Sequence, residues 1–312
     1  MQAPLARAVL AANRHRPLSR LRRKTVRTLF HLVHQRLGLP ARASLRLANG
    51  ARFEVDCANT AFLDYARRSG EAGGVEPEVT GLLISLAGKL RVVYDIGANW
   101  GYYPLLLATE PRFRGEIHAF EIGPRIAADL RHVIAGAELA GRVTVHGFGL
   151  SAEDGEARLS REKHSYLSRI VGEGYRGATD RVRVRRLDCL DLPPPDLIKI
   201  DVEGHEAAVL RGAAGLLARH QPLIVMESWH DPRHEEAMLA PLRLLAGLGY
   251  RFYRLGWRPS RFPRSAGAAG AGRNHGVIEL APLEFAARPA IRAALNLLAV
   301  PAAREAGFFS QG

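Results

Sequence analysis

Val92-Val93-Tyr94-Asp95-Ile96-Gly97-Ala98-Asn99-Trp100-Gly101-Tyr102-Tyr103 is the stretch that decides the fold of this 312-residue chain. An apolar run ends in a carboxylate, two glycines let the backbone turn sharply, and an apolar helical pattern follows: strand, turn, helix. The same alternation recurs on the C-terminal side. Strands are expected at 91–95, 116–121, 142–148, 196–201 and 223–227, and helices at 102–108, 124–139, 205–219 and 234–248, with a further helix at 78–87 leading in. Strand-helix-strand repetition implies a Rossmann-like α/β fold with a doubly wound, largely parallel sheet. Ligands of such sheets sit beyond the carboxyl ends of the strands.

Away from this core the pattern changes. Twelve of the 44 Lys and Arg residues precede Glu54, the first acidic residue, so the remainder carries 32 basic against 31 acidic side chains. Twelve of the 13 units of net charge therefore lie before Glu54, ten of them in a separable N-terminal arm, residues 1–43, and not in the body. Within it, 17–37 reads as an amphipathic helix, with Leu18, Leu21, Val26, Leu29, Val33 and Leu37 on one half and Arg20, Arg23, Lys24 and Arg27 on the other. Such a helix either packs its apolar stripe on the body or lies in an anionic membrane surface. Leu45, Leu47, Asn49-Gly50, Phe53 and Val55 then read as a hairpin with a two-residue type I′ turn, in a connecting segment spanning 44–75. The main domain is expected over 76–281, with a C-terminal helical tail over 282–312. Two insertions break the alternation: 154–186, strand-like at both ends around a polar middle and suited to cover a site as a lid, and the Gly/Ala/Arg tract 264–273.

Composition narrows the class. With 47% apolar and 24% charged residues the chain has enough for a packed core, and no run of 18 apolar residues suggests a spanning helix. Cys57 and Cys189 lie far apart without a C-x-x-C partner, which points to a reducing cytoplasm, peripheral to a membrane if the arm binds one; Cys189 reads as a small buried side chain.

The turn itself selects a ligand. A dinucleotide fingerprint needs G-x-G-x-x-G, so that a helix N-terminus can receive a pyrophosphate. Here the register is D-x-G-x-N-x-G, and a carboxylate beside the loop repels phosphate and suits a cationic amino group. The next strand ends in Glu121, 24 residues beyond Gly97, where an acid can accept both hydroxyls of a ribose. A ribose, an α-amino group and no phosphate together describe S-adenosyl-L-methionine. Its expected contacts are Asp95, Gly97, Ala98, Asn99, Gly101, Glu121 and Asp201.

These residues resemble a known family, the FkbM-type methyltransferases. The resemblance rests on Asp95-Ile-Gly97-Ala-Asn99-Trp-Gly101-Tyr-Tyr, on His-Ala-Phe-Glu121 and above all on Leu-Ile-Lys199-Ile-Asp201-Val-Glu203-Gly204-His205-Glu206, and covers roughly 76–229. It implies the seven-stranded methyltransferase sheet with an antiparallel last strand, S-adenosylmethionine as cofactor and O-methylation of a sugar or secondary-metabolite hydroxyl. Where such proteins often have Phe-Glu-Pro, this chain has Ile122, and its proline comes later as Pro124.

An alcohol is a poor nucleophile while protonated, so methyl transfer to it needs a base or a metal. Glu203 is the first candidate for the base and His205 the second, with Asp201 orienting cofactor or base. Either Asp201 or Glu203 can instead cap the following helix. No metal is required, although Asp201, Glu203 and Glu227 offer an oxygen-ligand set as the alternative. Tyr102, Tyr103 and Trp229 are candidates for the pocket wall. The Asn/Asp-Pro-Pro-Tyr/Phe tetrapeptide of base-nitrogen methylation is absent where Asp201-Val-Glu203-Gly204 stands, and Pro193-Pro194-Pro195 reads as a rigid loop. The expected partner is thus a small-molecule or glycan acceptor and not a specific nucleic-acid sequence. A non-catalytic, membrane-surface or polyanion-binding protein that keeps the fold is the competing reading. Deleting residues 1–40 should weaken co-sedimentation with anionic vesicles; equal sedimentation of both forms assigns the helix to packing on the body.

Overall fold

A computed structural model describes residues 42–56, 75–162, 168–259 and 276–310. The basic arm up to residue 41 and the 264–273 tract lie outside the described residues. The chain begins with strands β1 (Arg42–Arg46) and β2 (Arg52–Asp56). Helix α1 (Pro77–Leu86) leads into β3 (Val92–Ile96), α2 (Tyr102–Ala108), β4 (Glu116–Phe120), α3 (Pro124–Gly136) and β5 (Val143–His146). Four short strands follow: β6 (Gly149–Leu150), β7 (Gly155–Ser160), β8 (Ile170–Val171) and β9 (Thr179–Arg185). The main alternation resumes with β10 (Leu197–Ile200), α4 (Glu206–Gly212), α5 (Ala214–His220), β11 (Leu223–Ser228), α6 (Glu235–Gly247) and β12 (Tyr250–Pro259). It closes with β13 (Gly276–Leu283), β14 (Leu295–Pro301) and α7 (Glu305–Phe309).

Eight strands form one sheet in the order β13-β12-β14-β11-β10-β3-β4-β5. From β11 to β5 the pairing is parallel, whereas β14 runs antiparallel to both β11 and β12. The seven strands from β12 to β5 are thus the expected methyltransferase sheet with its last strand reversed, and β13 adds an eighth at the edge by pairing with β12. The sheet is doubly wound. Leu83 of α1, Leu106 of α2 and Leu130 of α3 join the core on one face, and Val209 of α4, Leu217 of α5 and Leu242 of α6 join the core on the other. The chain starts at β3 in the middle and builds outward in both directions, so the switch point lies between β3 and β10.

Three elements depart from the sequence expectation. The C-terminal segment is not a helical tail outside the domain: β14 is inserted between β11 and β12, with Leu298 and Val300 in one core and Leu297 and Ala299 in the other, all fully buried. Its apolar run was too short to stand out from the surrounding helical residues. The hairpin turn is also different. Leu47 N donates to Ala51 O at 2.8 Å and Gly50 N to Leu47 O at 3.0 Å, and only Gly50 takes a positive φ, +91°. This is a three-residue loop with a glycine bulge rather than a type I′ turn. Asn49 is freed from the left-handed region because its side chain is used elsewhere, donating from Nδ2 to Leu106 O at 3.0 Å and Thr109 Oγ1 at 2.9 Å and so tying the hairpin to α2. The helix expected over 205–219 is split at Ala213. Asp188 accepts from Gly215 N at 2.8 Å and Leu216 N at 2.7 Å, capping a second helix start from outside. Cys189 is an exposed free thiol and not a buried one, because the short 3₁₀ turn that places Asp188 turns its neighbour outward.

On β4 and β5, His118 Nδ1 and His146 Nε2 lie 3.0 Å apart, with the Phe120 ring stacked 4.5 Å from that of His146. Burial, with His118 and Arg131 nearby, pushes His146 down to about 4. Between pH 6.5 and 4 the unfolded chain therefore takes up a proton that the native state refuses, and stability falls as pH falls through that window. In thermal melts, the drop in Tm from pH 6.5 to 4.5 should be smaller for His146→Phe than for the wild type, and an equal drop removes His146 from the account.

Candidate active site

Two turns meet at the switch point. After β3, Gly97 turns the chain at φ +83°, and a Cβ there would fall inside the carbonyl oxygen of Asp201, which passes directly beneath. Gly97 is obligatory on both counts, conformation and contact. Asp201 N in turn donates to Ile96 O at 2.9 Å, so the turn after β10 is stitched to the turn after β3. Gly101, at φ +89°, starts α2 and leaves no room for a side chain against Leu130.

Below the turns lies a buried ion pair. Lys199 Nζ, in the middle of β10, sits 3.1 Å from Asp201 Oδ2 and 3.6 Å from Asp95 Oδ1, and 4.7 Å from the centre of the Tyr103 ring. Burial pulls its ammonium down, yet the Asp201, Asp95 and Glu76 carboxylates together hold it above the ordinary lysine range. Asp95 is 2% exposed and pushed up to about 6, mainly by burial. Neither of its oxygens has a hydrogen-bond partner among the described residues. Tyr103 donates to Glu76, whose other oxygen accepts from Asn296 Nδ2 of β14 at 3.2 Å.

Above the turns a cavity of about 660 Å³ opens beyond the ends of β3, β4 and β10. Gly97, Asn99, Glu121, Asp201, Glu203 and His205 all line it. Asp95, Ala98 and Gly101 do not: Asp95 faces Lys199, Ala98 is buried, and Gly101 packs on Leu130. The opposite wall comes from the expected lid. β6, β7, β8 and β9 form a separate four-stranded sheet in the order β6-β9-β7-β8, and Leu159, Arg161, Arg169, Ile170 and Asp180 face the cavity from it. Arg161 is held there by Asp180, with Nε at 2.8 Å from Oδ1.

In the cavity wall Glu121 accepts from Asn99 N at 2.8 Å through Oε2 and from Gly123 N at 2.6 Å through Oε1. Burial pushes it up to about 7 against the pull of these two amides. Each oxygen retains a lone pair for a further donor. Also in the wall, Glu203 stands at φ +51°, followed by Gly204 at φ +91°. A glutamate in the left-handed region costs about 1 kcal/mol, a strain typical of sites where a side chain must be presented. Its partial withdrawal from solvent, then the Asp201, Glu227 and Glu206 carboxylates, push it up to about 7, with Arg169 across the cavity pulling the other way. Glu227, at the end of β11, is pushed up to about 7 in the same manner. His205 is kept neutral by burial and the Arg211 charge, and its Nε2 shares a hydrogen bond with Ser151 Oγ at 2.9 Å.

Glu206, rather than Asp201 or Glu203, braces the turn, accepting from Gly204 N at 3.1 Å. Among the described residues no three His, Cys, Asp or Glu side chains converge as a metal-ligating group. Tyr102 and Tyr103 are core residues, 4% and 6% exposed, while Trp229 is half-buried beside Gly204, outside the cavity wall. The structural weight of Lys199 and Glu76, the Ser151 contact and the cavity position of Arg169 were not read from the sequence. A lone lysine in the apolar tetrad Leu-Ile-Lys-Ile was a signal for the first; nothing local marked the others.

A doubly wound sheet with a reversed last strand, opening its cavity at the β3/β10 switch point between two carboxylates, defines the class of Rossmann-like methyltransferases. Residues 95–252 match the family described as Methyltransferase FkbM domain, and the chain belongs to that family. It is 26% identical over 172 residues to hexuronic acid methyltransferase AglP of Haloferax volcanii, a match covering 54% of this chain and 70% of that protein. Among solved structures it is similar to a methyltransferase FkbM from Methylobacillus flagellatus, with a TM-score of 0.43 at 18% identity over 96% of this chain and 58% of that one. It is also similar to the O-methyltransferase TomG of Streptomyces achromogenes, with a TM-score of 0.40 at 15% identity over 88% of each.

Gly97→Ala should destabilise the protein by more than ~2 kcal/mol, through a strained φ and a clash with the Asp201 backbone. Gly136→Ala, at the end of α3 with nothing within 4 Å of the new methyl, should cost nothing or stabilise slightly. Denaturant titration of both checks this, and similar stabilities would contradict the stitched-turn geometry.

Proposed function

We propose that this chain transfers a methyl group from S-adenosylmethionine to a hydroxyl of a carbohydrate, glycolipid or natural-product acceptor, with Glu203 as the base. The observation that carries the reading is that two carboxyls line one cavity, Glu121 with its oxygens seated on turn amides and Glu203 pushed up to about 7 by burial and then by its acidic neighbours. The residues suit the cofactor. Glu121 has one free lone pair per oxygen for two vicinal ribose hydroxyls, the bare Gly97 backbone lets a ligand approach closely, and the acidic surroundings favour a cationic amino acid moiety over a phosphate. Gly97, Asn99, Glu121 and Asp201 would hold it, while Asp95 acts from below by fixing Lys199 and hence Asp201. When bound, the cofactor supplies an electrophilic methyl carbon on a sulfonium.

The remaining work falls to the protein. The lid sheet shields the cavity from water, and the acceptor must present its oxygen close to and aligned with the methyl carbon. Glu203 is the group that would take the acceptor's hydroxyl proton, the cofactor's carbon–sulfur bond breaking to release S-adenosylhomocysteine, and burial with the Asp201 and Glu227 carboxylates keeps its proton affinity high enough for this near pH 7. His205, neutral and anchored on Ser151, is the second candidate for that proton. A carbohydrate acceptor agrees with the kinship to the hexuronic acid methyltransferase.

Isothermal titration should show S-adenosylmethionine binding to the wild type and to Glu203→Gln alike, and no heat with Glu121→Ala. Transfer of a labelled methyl to a saccharide panel should fall by about 10²–10⁴ in Glu203→Gln. In the wild type the rate should rise with pH through about 7 as Glu203 ionises. Unchanged turnover in Glu203→Gln moves the base to His205, and absence of any cofactor heat returns the chain to the non-catalytic reading.

A further inference from the structure

Among the described residues a second cation, besides Lys199, is buried in the fold. Arg288, in the 3₁₀ turn Phe285–Ala290 ahead of β14, is 0% exposed and faces no carboxylate within ion-pair distance among the described residues. Burial alone lowers its pKa. It instead spreads its charge over neutral oxygens. Nε donates to Ser228 Oγ at 2.8 Å and Nη1 to Ile291 O at 2.7 Å. Nη2 donates to Ser228 O at 2.6 Å, Trp229 O at 3.0 Å and Ala293 O at 3.0 Å.

Burying a guanidinium without a counter-ion is costly, and five oxygens recover only part of that cost. What they fix is specific: the end of β11 and the residue beyond it. The planar fork grips the Ser228 and Trp229 carbonyls from one side while its other arm holds the chain entering β14. A lysine, with a single point of attachment and three donors, cannot reproduce this.

Trp229 is the group so held. Its six-membered ring lies near Gly204, Cζ2 being 3.5 Å from where a Cβ on that residue would stand, an ordinary contact distance that places the indole beside the Glu203 turn. The residue is half-buried, unlike Tyr102 and Tyr103, so part of it is accessible to a ligand. Two carboxyls stand near it along the chain and the turn: Glu203 precedes Gly204, and Glu227, two residues before Trp229, is close enough to Glu203 to raise its pKa. An apolar plate beside hydrogen-bond acceptors matches a pyranose, whose axial C–H bonds make one face apolar while its hydroxyls point outward at the rim.

We propose that Trp229 is the acceptor platform of the methyltransferase, taking the apolar face of a sugar ring so that a rim hydroxyl reaches Glu203, and that Arg288 is the positioning residue that aims it. This rests on the reading of Glu203 as the acceptor-side base. The ring contributes flat contact area at low entropic cost, since only two side-chain torsions need fixing. Arg288 fixes the backbone from which those torsions start.

The test uses the full chain, saturated with S-adenosylhomocysteine, and follows tryptophan emission during titration with methyl β-D-glucopyranoside, methyl β-D-galactopyranoside and methyl α-D-mannopyranoside, with catechol as a planar control. A saturable change with at least one glycoside is expected in the wild type. It should vanish in Trp229→Ala and survive weakened in Trp229→Phe. In Arg288→Met and in the milder Arg288→Lys the glycoside midpoint should rise about tenfold or more. S-adenosylhomocysteine affinity, measured by calorimetry, should stay within about twofold in all four variants, a split that mere loss of folding cannot produce. A wild type that binds S-adenosylhomocysteine but responds to no glycoside, or only to catechol, overturns the sugar assignment. A response retained in Trp229→Ala overturns the platform, and an unmoved midpoint in a folded Arg288 variant overturns the positioning role. Failure to bind S-adenosylhomocysteine at all counts against the methyltransferase reading itself.

Discussion

The buried ammonium of Lys199 between Asp95 and Asp201 is the interaction on which the rest of the site depends. β3 and β10 are neighbours in the sheet with Lys199 directly opposite Asp95, and at their ends the chain departs to opposite faces. Backbone pairing alone aligns the strands but does not dictate how two diverging turns sit against each other. The charge does. An unpaired ammonium at this depth costs several kcal/mol, and stripping away its carboxylate partners would leave an uncompensated charge worth about 3–5 kcal/mol. The pair therefore holds the glycine turn and the acidic turn in one register, and Tyr103 and Glu76 extend the same network to α2 and to the start of α1.

The carboxyls in and around this pair share one kind of environment. Glu121, Glu203 and Glu227 are all pushed up to about 7, and Asp95 to about 6. Each is raised first by burial and then by carboxylate neighbours, with only Lys199 and Arg169 pulling any of the four the other way by charge. A site built so holds and releases protons near neutral pH, which is what activation of an alcohol requires. Lysine below and arginine above temper the repulsion enough for the acids to stay close.

Much of the fold was legible in the sequence because its strongest signals are local. Strand, turn and helix around Asp95 and Gly97 follow from apolar periodicity and two glycines, and β4, β5, β10 and β11 appear within a residue or two of their expected ends. The cavity-lining acids Glu121, Asp201 and Glu203 were legible for a similar reason, since a carboxylate closing an apolar strand has few structural uses. What escaped was non-local. Asp188 splits a helix from 27 residues away, Asn49 abandons its expected turn for a carbonyl on α2, and β14 looks like any apolar segment until β11 and β12 stand on either side of it. Asp95 was legible as a site residue, but its partner was not: whether an acid faces a ligand or a lysine depends on what the neighbouring strand brings opposite.

The insertion of β14 between β11 and β12 has a consequence for how the molecule comes into being. β12 has no partner linking it to the rest of the sheet until residues 295–301 have left the ribosome, although its own residues emerge some forty positions earlier. During that interval β11 and β12 expose pairing edges flanked by apolar side chains, a state prone to aggregation. Assembly must wait for the closing strand to thread into a gap, a step of long sequence separation and therefore slow. Nascent-chain vulnerability is thus written into the strand order, and translation pauses or chaperone contacts near this point would act on yield rather than on the finished enzyme.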